Sequence, residues 1–333
     1  MRINKEVETL SKKSSVIFLG VGNGQNCFVE RYCENVYLIN GKRNTILTQL
    51  RLILTFLRLL FRYEIKSIHI INEQLLIFFY PFLFTKHVVL DLFDSIFLRW
   101  NKSGNKWLLL KKIVYWPVNK IIVTDENRLN LMPGYIRKKC NILPNYPRFL
   151  DSEVRKKQDS SIRIMYNGWL GLNRGTEVAE GLLRMALPVK IIMAGWFSDK
   201  YSSELPSRYP NQIEYLGVVK QDEILKITAE YADYILCVYK PVNENNINAS
   251  PNKVYDAIQT GTPVIINSEV RISRFVEENK IGIVIPAYAE INYPDLYKQM
   301  KEKQNSFIFN REMKQKYSWE KIENVLLSAH HCF

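Results

Sequence analysis

The sequence predicts an α/β chain of two doubly wound, Rossmann-like domains, and three observations carry that expectation. Strand-sized apolar runs bounded by turn residues recur along most of the chain. The runs are apolar almost throughout rather than alternating, as strands buried on both faces are. Helix-like segments separate most of them, and buried strands alternating with helices imply parallel sheets covered on both sides.

The strand expectations begin at VIFLG, centred on residues 17 to 20, and continue through VYLIN, IHII, HVVLDL and KIIVTD. IRIMYNG, VKIIMAG, IEYLG, YILCVY, TPVII and IGIVI follow in the second half. After Ile285 the pattern gives way to a polar, mostly helical tail. At 333 residues the chain is closer to two ordinary domains than to one. The expected division is a first domain over 1–147, a second over 148–310, and a C-terminal helical segment, 311–333, packing back toward the first. The seam falls at Pro144 to Ser160, where ILPNYPRFL runs into the charged, strand-free DSEVRKKQDSS.

The start, MRINKEVETLSKKSS, is polar and lacks the order and apolar length of a secretory signal, so the expected location is the cytoplasm. Five cysteines, Cys27, Cys33, Cys140, Cys237 and Cys332, are dispersed with no CxxC pair. An odd, scattered set is expected to be free thiols rather than a disulfide framework or a zinc site.

The net charge of +13 is carried by one half of the chain. Residues 1–150 hold 23 Lys and Arg against 10 Asp and Glu, whereas 151–333 hold 23 of each. An anionic partner for the first half follows. Nucleic acid is not expected, because no zinc finger, RNP-type or Gly-x-x-Gly RNA-binding motif supports it. An anionic membrane surface or a lipid-linked phosphate remains. No apolar run is long enough to span a bilayer; the longest, Leu75 to Phe84, contains Pro81. Two segments could lie on a membrane instead. Thr45 to Tyr63 is apolar enough to pack on its own sheet. Lys102 to Lys120 mixes Lys102, Lys106, Lys111, Lys112 and Lys120 with Trp107, Tyr115 and Trp116.

The most informative stretch is NASPNKVYDAIQTGTPVII, Asn248 to Ile266. Ser250 can cap a helix, Pro251 suits its first position, Gly261 can close it, and Pro263 stops it before the strand TPVII. A helix over about 251 to 260 is expected. The N-terminus of such a helix favours a phosphate, and Lys253 adds a full charge there. Asn252, Lys253 and Asp256, spaced three and four apart, put an amide, a cation and a carboxylate on one face. That mixture suits a nucleotide: a cation for the diphosphate and an acid for the ribose hydroxyls. On spacing alone, a plain helix with solvated charges serves equally well.

Ser-Pro-Asn-Lys-x-x-Asp-Ala followed by Gly-Thr-Pro-Val-Ile resembles the donor-site signature of family 4 type, GT-B fold glycosyltransferases. IRIMYNGWLGLNRGTEVAEGLL is similar to the family's first strand, loop and helix of the C-terminal domain, with Gly168 and Gly171 in the loop. There a basic residue before a glycine reaches the donor diphosphate, and Arg174 before Gly175 holds that place. IIMAGWF, IEYLGVVKQDEILKITAEYADYILCVY and YSWEKI follow in order, so the resemblance covers about 160 residues. It implies a GT-B architecture, with the two domains facing across a cleft. It also implies a nucleotide diphosphate sugar as donor, retention of configuration, no metal and no other cofactor. Donor-binding positions carried over are Gly168, Gly175, Asn248, Ser250, Asn252 and Asp256, with Arg174 and Lys253 as the charges that stabilise the leaving nucleotide.

Two positions depart from the family pattern. Asn248 stands where a glutamate is often found, and an amide brings hydrogen bonds but no negative charge. Trp169 stands where a second basic residue is common, which shifts diphosphate binding onto Arg174 and Lys253.

The first half resembles the family only loosely. VVLDLFDS keeps Asp94 where the family segment ends in His-Asp, with Phe93 in the histidine place, so Asp94 is a candidate for orienting the reacting groups. Gly20, Gly22 and Gly24 follow the first strand and serve either a close ligand approach or a tight turn. His69 and Asn72 end another strand, the position where ligands of open α/β sheets bind. Gly22, His69 and Asn72 are therefore candidates for facing the acceptor or the sugar. The expected acceptor is a saccharide or lipid-linked saccharide at the inner face of the cytoplasmic membrane, in surface polysaccharide assembly. The alternatives are an inactive sugar-nucleotide-binding protein of the same fold and a sugar-nucleotide epimerase.

Overall fold

The computed structural model describes residues 2–22, 28–42, 45–151, 160–304 and 306–331. It divides into two compact units, Met1–Pro144 with Ile322–Phe333, and Asn145–Lys321.

Unit 1 carries β1 (Ile17–Val21), β2 (Asn35–Ile39), β3 (Ser67–Ile71), β4 (His87–Asp91), β5 (Lys120–Val123) and β6 (Cys140–Ile142). All pairs are parallel: β1 with β2, and β3–β4–β5–β6 as a four-stranded sheet. The core joins Ile68, Ile70, Val88, Leu90, Ile121 and Val123 of these strands to Leu52 and Phe56 of the helix Ile46–Arg62 and Leu76 of the helix Asn72–Phe79.

Unit 2 carries β7 (Ile162–Leu170), β8 (Val189–Phe197), β9 (Ile213–Tyr215), β10 (Tyr234–Leu236), β11 (Val264–Asn267) and β12 (Gly282–Ile285). They form one parallel sheet in the order β12-β11-β10-β7-β8-β9. Alternate residues of a strand feed opposite faces. Ile164 and Tyr166 join one core with Val178, Leu182 and Leu296, while Met165 joins another with Val254 and Ile258. Both faces are dry, which is why these strands read as continuous apolar runs.

Each of the eleven expected runs contains a strand, and the doubly wound α/β class holds. The twelfth strand, β6, escaped the sequence pattern because its run is broken by Asn141 and stopped by Pro144, leaving only Ile142 and Leu143 as adjacent apolar residues. Cys33, Cys140 and Cys237 are free thiols; Cys27, Cys332 and Gly24 lie outside the described residues. No described helix is long and apolar enough to cross a membrane.

The basic aromatic segment is less accessible than its composition suggests. Lys111 is buried and its Nζ donates to the carbonyl oxygens of Lys102 and Gly104. Tyr115 is buried and donates to Glu73 Oε1 at 2.9 Å. The helix Leu108–Val114 needs one face against the core, and Lys111 and Val114 are on it.

Candidate functional site

In unit 2 the chain leaves β7 toward β8 and β9 on one side, then returns to place β10 on the other side of β7. Strand order reverses between β7 and β10. Open parallel sheets bind ligands beyond the carboxyl ends of the strands at such a point, because the two outgoing loops diverge and leave a crevice. The loop after β7 carries Gly171 to Gly175, and β10 leads into Cys237 to Lys240.

Arg174 sits in the first of these loops. Its amide donates to Gly171 O at 3.1 Å, and Asn173 O accepts from the Lys240 amide at 3.0 Å, tying the two loops together. Glu177, one turn into the following helix, accepts the Asn173 amide at 3.0 Å and the Tyr288 hydroxyl at 2.8 Å. The Arg174 guanidinium lies over the Tyr239 ring, 5.0 Å from its centroid. Tyr239 is itself held by Asn267, a fully buried residue at the end of β11. Its side chain accepts the Tyr239 amide and donates to the Tyr239 carbonyl, both at 2.9 Å. Gly175 precedes the helix Thr176–Arg184 at φ +115°. A Cβ there would stand 3.2 Å from both Leu236 and Val238, so glycine lets this turn close on β10.

The helix Asn252–Thr260 brings the second cation. Pro251 occupies the extended capping position and Gly261 closes the helix at φ +65°. The expectation that Ser250 caps it is corrected. The helix starts one residue later than expected, which leaves Ser250 a residue too far back, and its buried Oγ has no hydrogen-bond partner. Pro251, in the capping position, offers no side-chain acceptor to this N-terminus. Lys253, in the first turn, donates to Leu236 O of β10 at 3.1 Å and lies 5.3 Å from the Tyr166 ring centroid. The helix start is thus pinned over the end of β10. Burial lowers the Lys253 pKa and the Arg174 charge acts in the same direction, while Asp256 opposes both. Two cations within electrostatic reach of each other, beside a helix start, form a site that an anion relieves. The neighbouring Cys237 thiol, buried, is pushed up to about 12.

The remaining donor-side candidates lie in the same unit. Asn252 Oδ1 accepts from Asn145 Nδ2 at 2.8 Å. Asp256 is buried, and its Oδ1 accepts from Gln221 Nε2 at 3.4 Å. Asn248 is buried and donates to Glu244 O at 2.9 Å, closing the one-turn helix Glu244–Ile247 that Asn243 caps. Gly168 stands near the end of β7, paired in register with Gly195 of β8.

Unit 1 holds the other candidates. Asp94 is exposed, and the amides of Phe93 and Asp94 both donate to Asn72 Oδ1, at 2.8 and 3.0 Å. Asn72 adopts φ 61° at the end of β3 and so fixes the loop after β4. Gly22 follows β1, its amide on Ile39 O at 3.1 Å. His69 turns inward instead, its Nδ1 3.0 Å from His330 Nε2 and its Nε2 near Glu6 and Asp91. Tyr239, Asn267 and Tyr166 carried no motif; they act across strand ends far apart in sequence.

Residues 186–316 match the model of the Glucosyltransferase 3-like C-terminal domain, a span that includes Asn248 to Asp256 and begins after Arg174. Solved structures resemble nearly the whole chain. A sucrose-phosphate synthase from Thermosynechococcus elongatus is 13% identical, with TM-score 0.72 over 99% of this chain and 92% of that one. HepE of Anabaena, in complex with UDP, is 14% identical, with TM-score 0.66 over 99% and 93%. The chain has the GT-B fold, and its second half carries a glycosyltransferase family domain. WaaG, a glycosyltransferase involved in lipopolysaccharide biosynthesis, shares the fold at 10% identity and TM-score 0.57, covering 99% of this chain and 89% of its own. No curated protein matches the chain in sequence.

Proposed function

We propose that the glycosyltransferase takes a sugar from a nucleotide diphosphate sugar bound over the β7–β10 crevice, with retention and without a metal at that site. The observation that carries this reading is the convergence of Arg174 and Lys253 at the reversal of strand order, beside the start of the helix Asn252–Thr260. As the bond to the sugar breaks, negative charge grows on the departing phosphate. Fixed cations and amides already aimed at it lower the barrier without reorganising. Gly168 and Gly175 keep side chains out of the phosphate loop, and Ser250 and Asn252 lie at the phosphate end of the helix. Asp256 takes the ribose hydroxyls, and Asn248 faces the sugar through hydrogen bonds alone. HepE in complex with UDP and a starch synthase of similar fold bound to ADP support a nucleoside diphosphate as ligand. In unit 1, Asp94, positioned through Asn72, is the residue proposed to orient reacting groups, and Gly22 is proposed to leave room for the acceptor. Incubation with UDP-, GDP-, ADP- and TDP-sugars is expected to give thermal stabilisation and nucleotide release with at least one of them. A flat response across the panel contradicts the proposal.

The proposed acceptor is a saccharide or lipid-linked saccharide presented at an anionic membrane, in surface polysaccharide assembly. The helix Ile46–Arg62 buries Thr48, Leu52, Phe56 and Leu59 but exposes Ile46, Leu47, Leu50, Leu54 and Phe61, the last at 91%. Beside Val114, the second segment exposes Leu109, Ile113 and Trp116. Exposed apolar faces of this kind favour a lipid interface, and the exposed Arg51, Arg58, Lys106 and Lys112 favour an anionic one. Binding to anionic vesicles is expected at low salt, weakening several-fold at high salt and on Ile113→Ser with Trp116→Ser. Vesicle binding that neither salt nor these changes affects removes the membrane from the proposal.

A further inference from the structure

Within unit 1 a second polar cluster lies beneath the helix Arg2–Ser11, and no step of the proposed reaction uses it. Glu6 comes from that helix, His69 from β3 and Asp91 from the end of β4. Glu6 and Asp91 are 2% and 0% exposed. One ligand atom from each of the three lies within 4.8 Å of the others.

The hydrogen bonds around His69 permit the tautomer that a metal ligand needs. With Ser67 Oγ donating to the His87 carbonyl at 3.3 Å, it accepts from His330 Nδ1, 2.7 Å away. That leaves His330 Nε2 bare, and it accepts from His69 Nδ1–H at 3.0 Å. His69 Nε2 then carries a lone pair. It is buried and has no hydrogen-bond partner among the described residues. It faces Glu6 Oε2 at 3.6 Å and Asp91 Oδ2 at 3.8 Å. These separations are too long for hydrogen bonds. They are close to the edge of a tetrahedron around a metal, about 3.3–3.6 Å at metal–ligand bonds of about 2.0–2.2 Å. Arg2 does not fill the gap. Its Nε donates to Glu6 Oε1 at 2.6 Å and its Nη2 forms an ion pair with Asp91 Oδ2 at 2.8 Å, while Glu6 Oε2 and Asp91 Oδ2 both face His69 Nε2.

We propose that Glu6, His69 and Asp91 bind one divalent first-row transition ion, which fastens the first helix to β3 and β4. An imidazole with two carboxylates suits Zn²⁺ or its relatives better than Mg²⁺, which prefers oxygen ligands throughout. The His69–His330–Ser67 chain supplies the outer support that metal-binding histidines need, holding the ring and its tautomer. Arg2 does the same for the carboxylates. All four histidines of the sequence gather here, His87 packing on His331 at 4.4 Å between centroids, so nitrogen ligation elsewhere in the cluster must be separated from this site.

The test uses the full chain, stripped with chelator and titrated with Zn²⁺ by calorimetry and with Co²⁺ by visible absorption. One ion per chain is expected, with Co²⁺ bands of low coordination number and a rise in thermal midpoint. His69→Gln and Glu6→Gln are each expected to weaken binding at least about 10-fold, and His330→Gln to weaken it by about 10- to 100-fold. His87→Gln is expected to leave binding within about twofold. The absence of stoichiometric uptake by the unaltered chain overturns the proposal and leaves a shared proton between Glu6 and Asp91. Binding that survives in folded His69→Gln overturns it as well, and so does binding lost in folded His87→Gln.

Discussion

Arg174→Ala and Lys253→Ala are each expected to lower sugar transfer by about 10²-fold or more, the loss of roughly 3 kcal/mol of stabilisation at the departing phosphate. The two losses have different collateral effects. Arg174 is half-buried and rests on the Tyr239 ring, so removing it empties a surface contact and leaves the loop's backbone bonds in place. Lys253 also donates to Leu236 O, and its removal leaves that carbonyl without this donor. Lys253→Ala should therefore cost stability as well as rate, and thermal midpoints measured beside turnover separate the two. Arg174→Lys is expected to recover part of the activity, because it keeps the charge and loses the planar fork that grips two phosphate oxygens. Turnover near that of the unaltered enzyme in both alanine variants contradicts the site assignment.

The legibility of this enzyme follows the range of its interactions. The strands of unit 2 stand out because both faces of their sheet are covered, which makes apolar runs such as IRIMYNG continuous. The start of the helix Asn252–Thr260 was legible to within a residue, since Pro251 and Gly261 punctuate it locally. Ser250 misled because a serine before a proline satisfies the capping pattern whether or not its oxygen reaches an amide. Arg174 and Lys253 stand in linear motifs. Tyr239 and Asn267, which hold Arg174 in place, meet only once β10 and β11 are side by side. Lys111 counted as a surface charge until the fold turned it onto the carbonyls of Lys102 and Gly104. Glu6, His69 and Asp91 show the same limit most plainly. They come from a helix and two strands, with no spacing that a motif search can use.

Gly195→Ala is expected to destabilise unit 2 by roughly 2–4 kcal/mol, from positive-φ strain and a backbone overlap together. Gly195 lies in β8 at φ +138°, opposite Gly168 of β7. A Cβ there would stand 1.9 Å from Gly168 O and 2.8 Å from Gly168 C, and these are backbone atoms that cannot swing aside. Nor can Gly195 retreat. Its amide donates to Gly217 O at 2.8 Å and its carbonyl accepts from the Tyr215 hydroxyl at 2.8 Å. The strand that must yield is β7, whose end leads directly into the Arg174 loop. The variant should therefore lose donor affinity along with a thermal midpoint drop of roughly 5–12 °C. Gly217→Ala is the internal comparison: φ is +72° there, but a Cβ would enter open space, so only the backbone strain of about 1 kcal/mol remains. Equal midpoints in the two variants would show that β7 and β8 do not approach this closely, and the glycine pair would then have no part in shaping the phosphate loop.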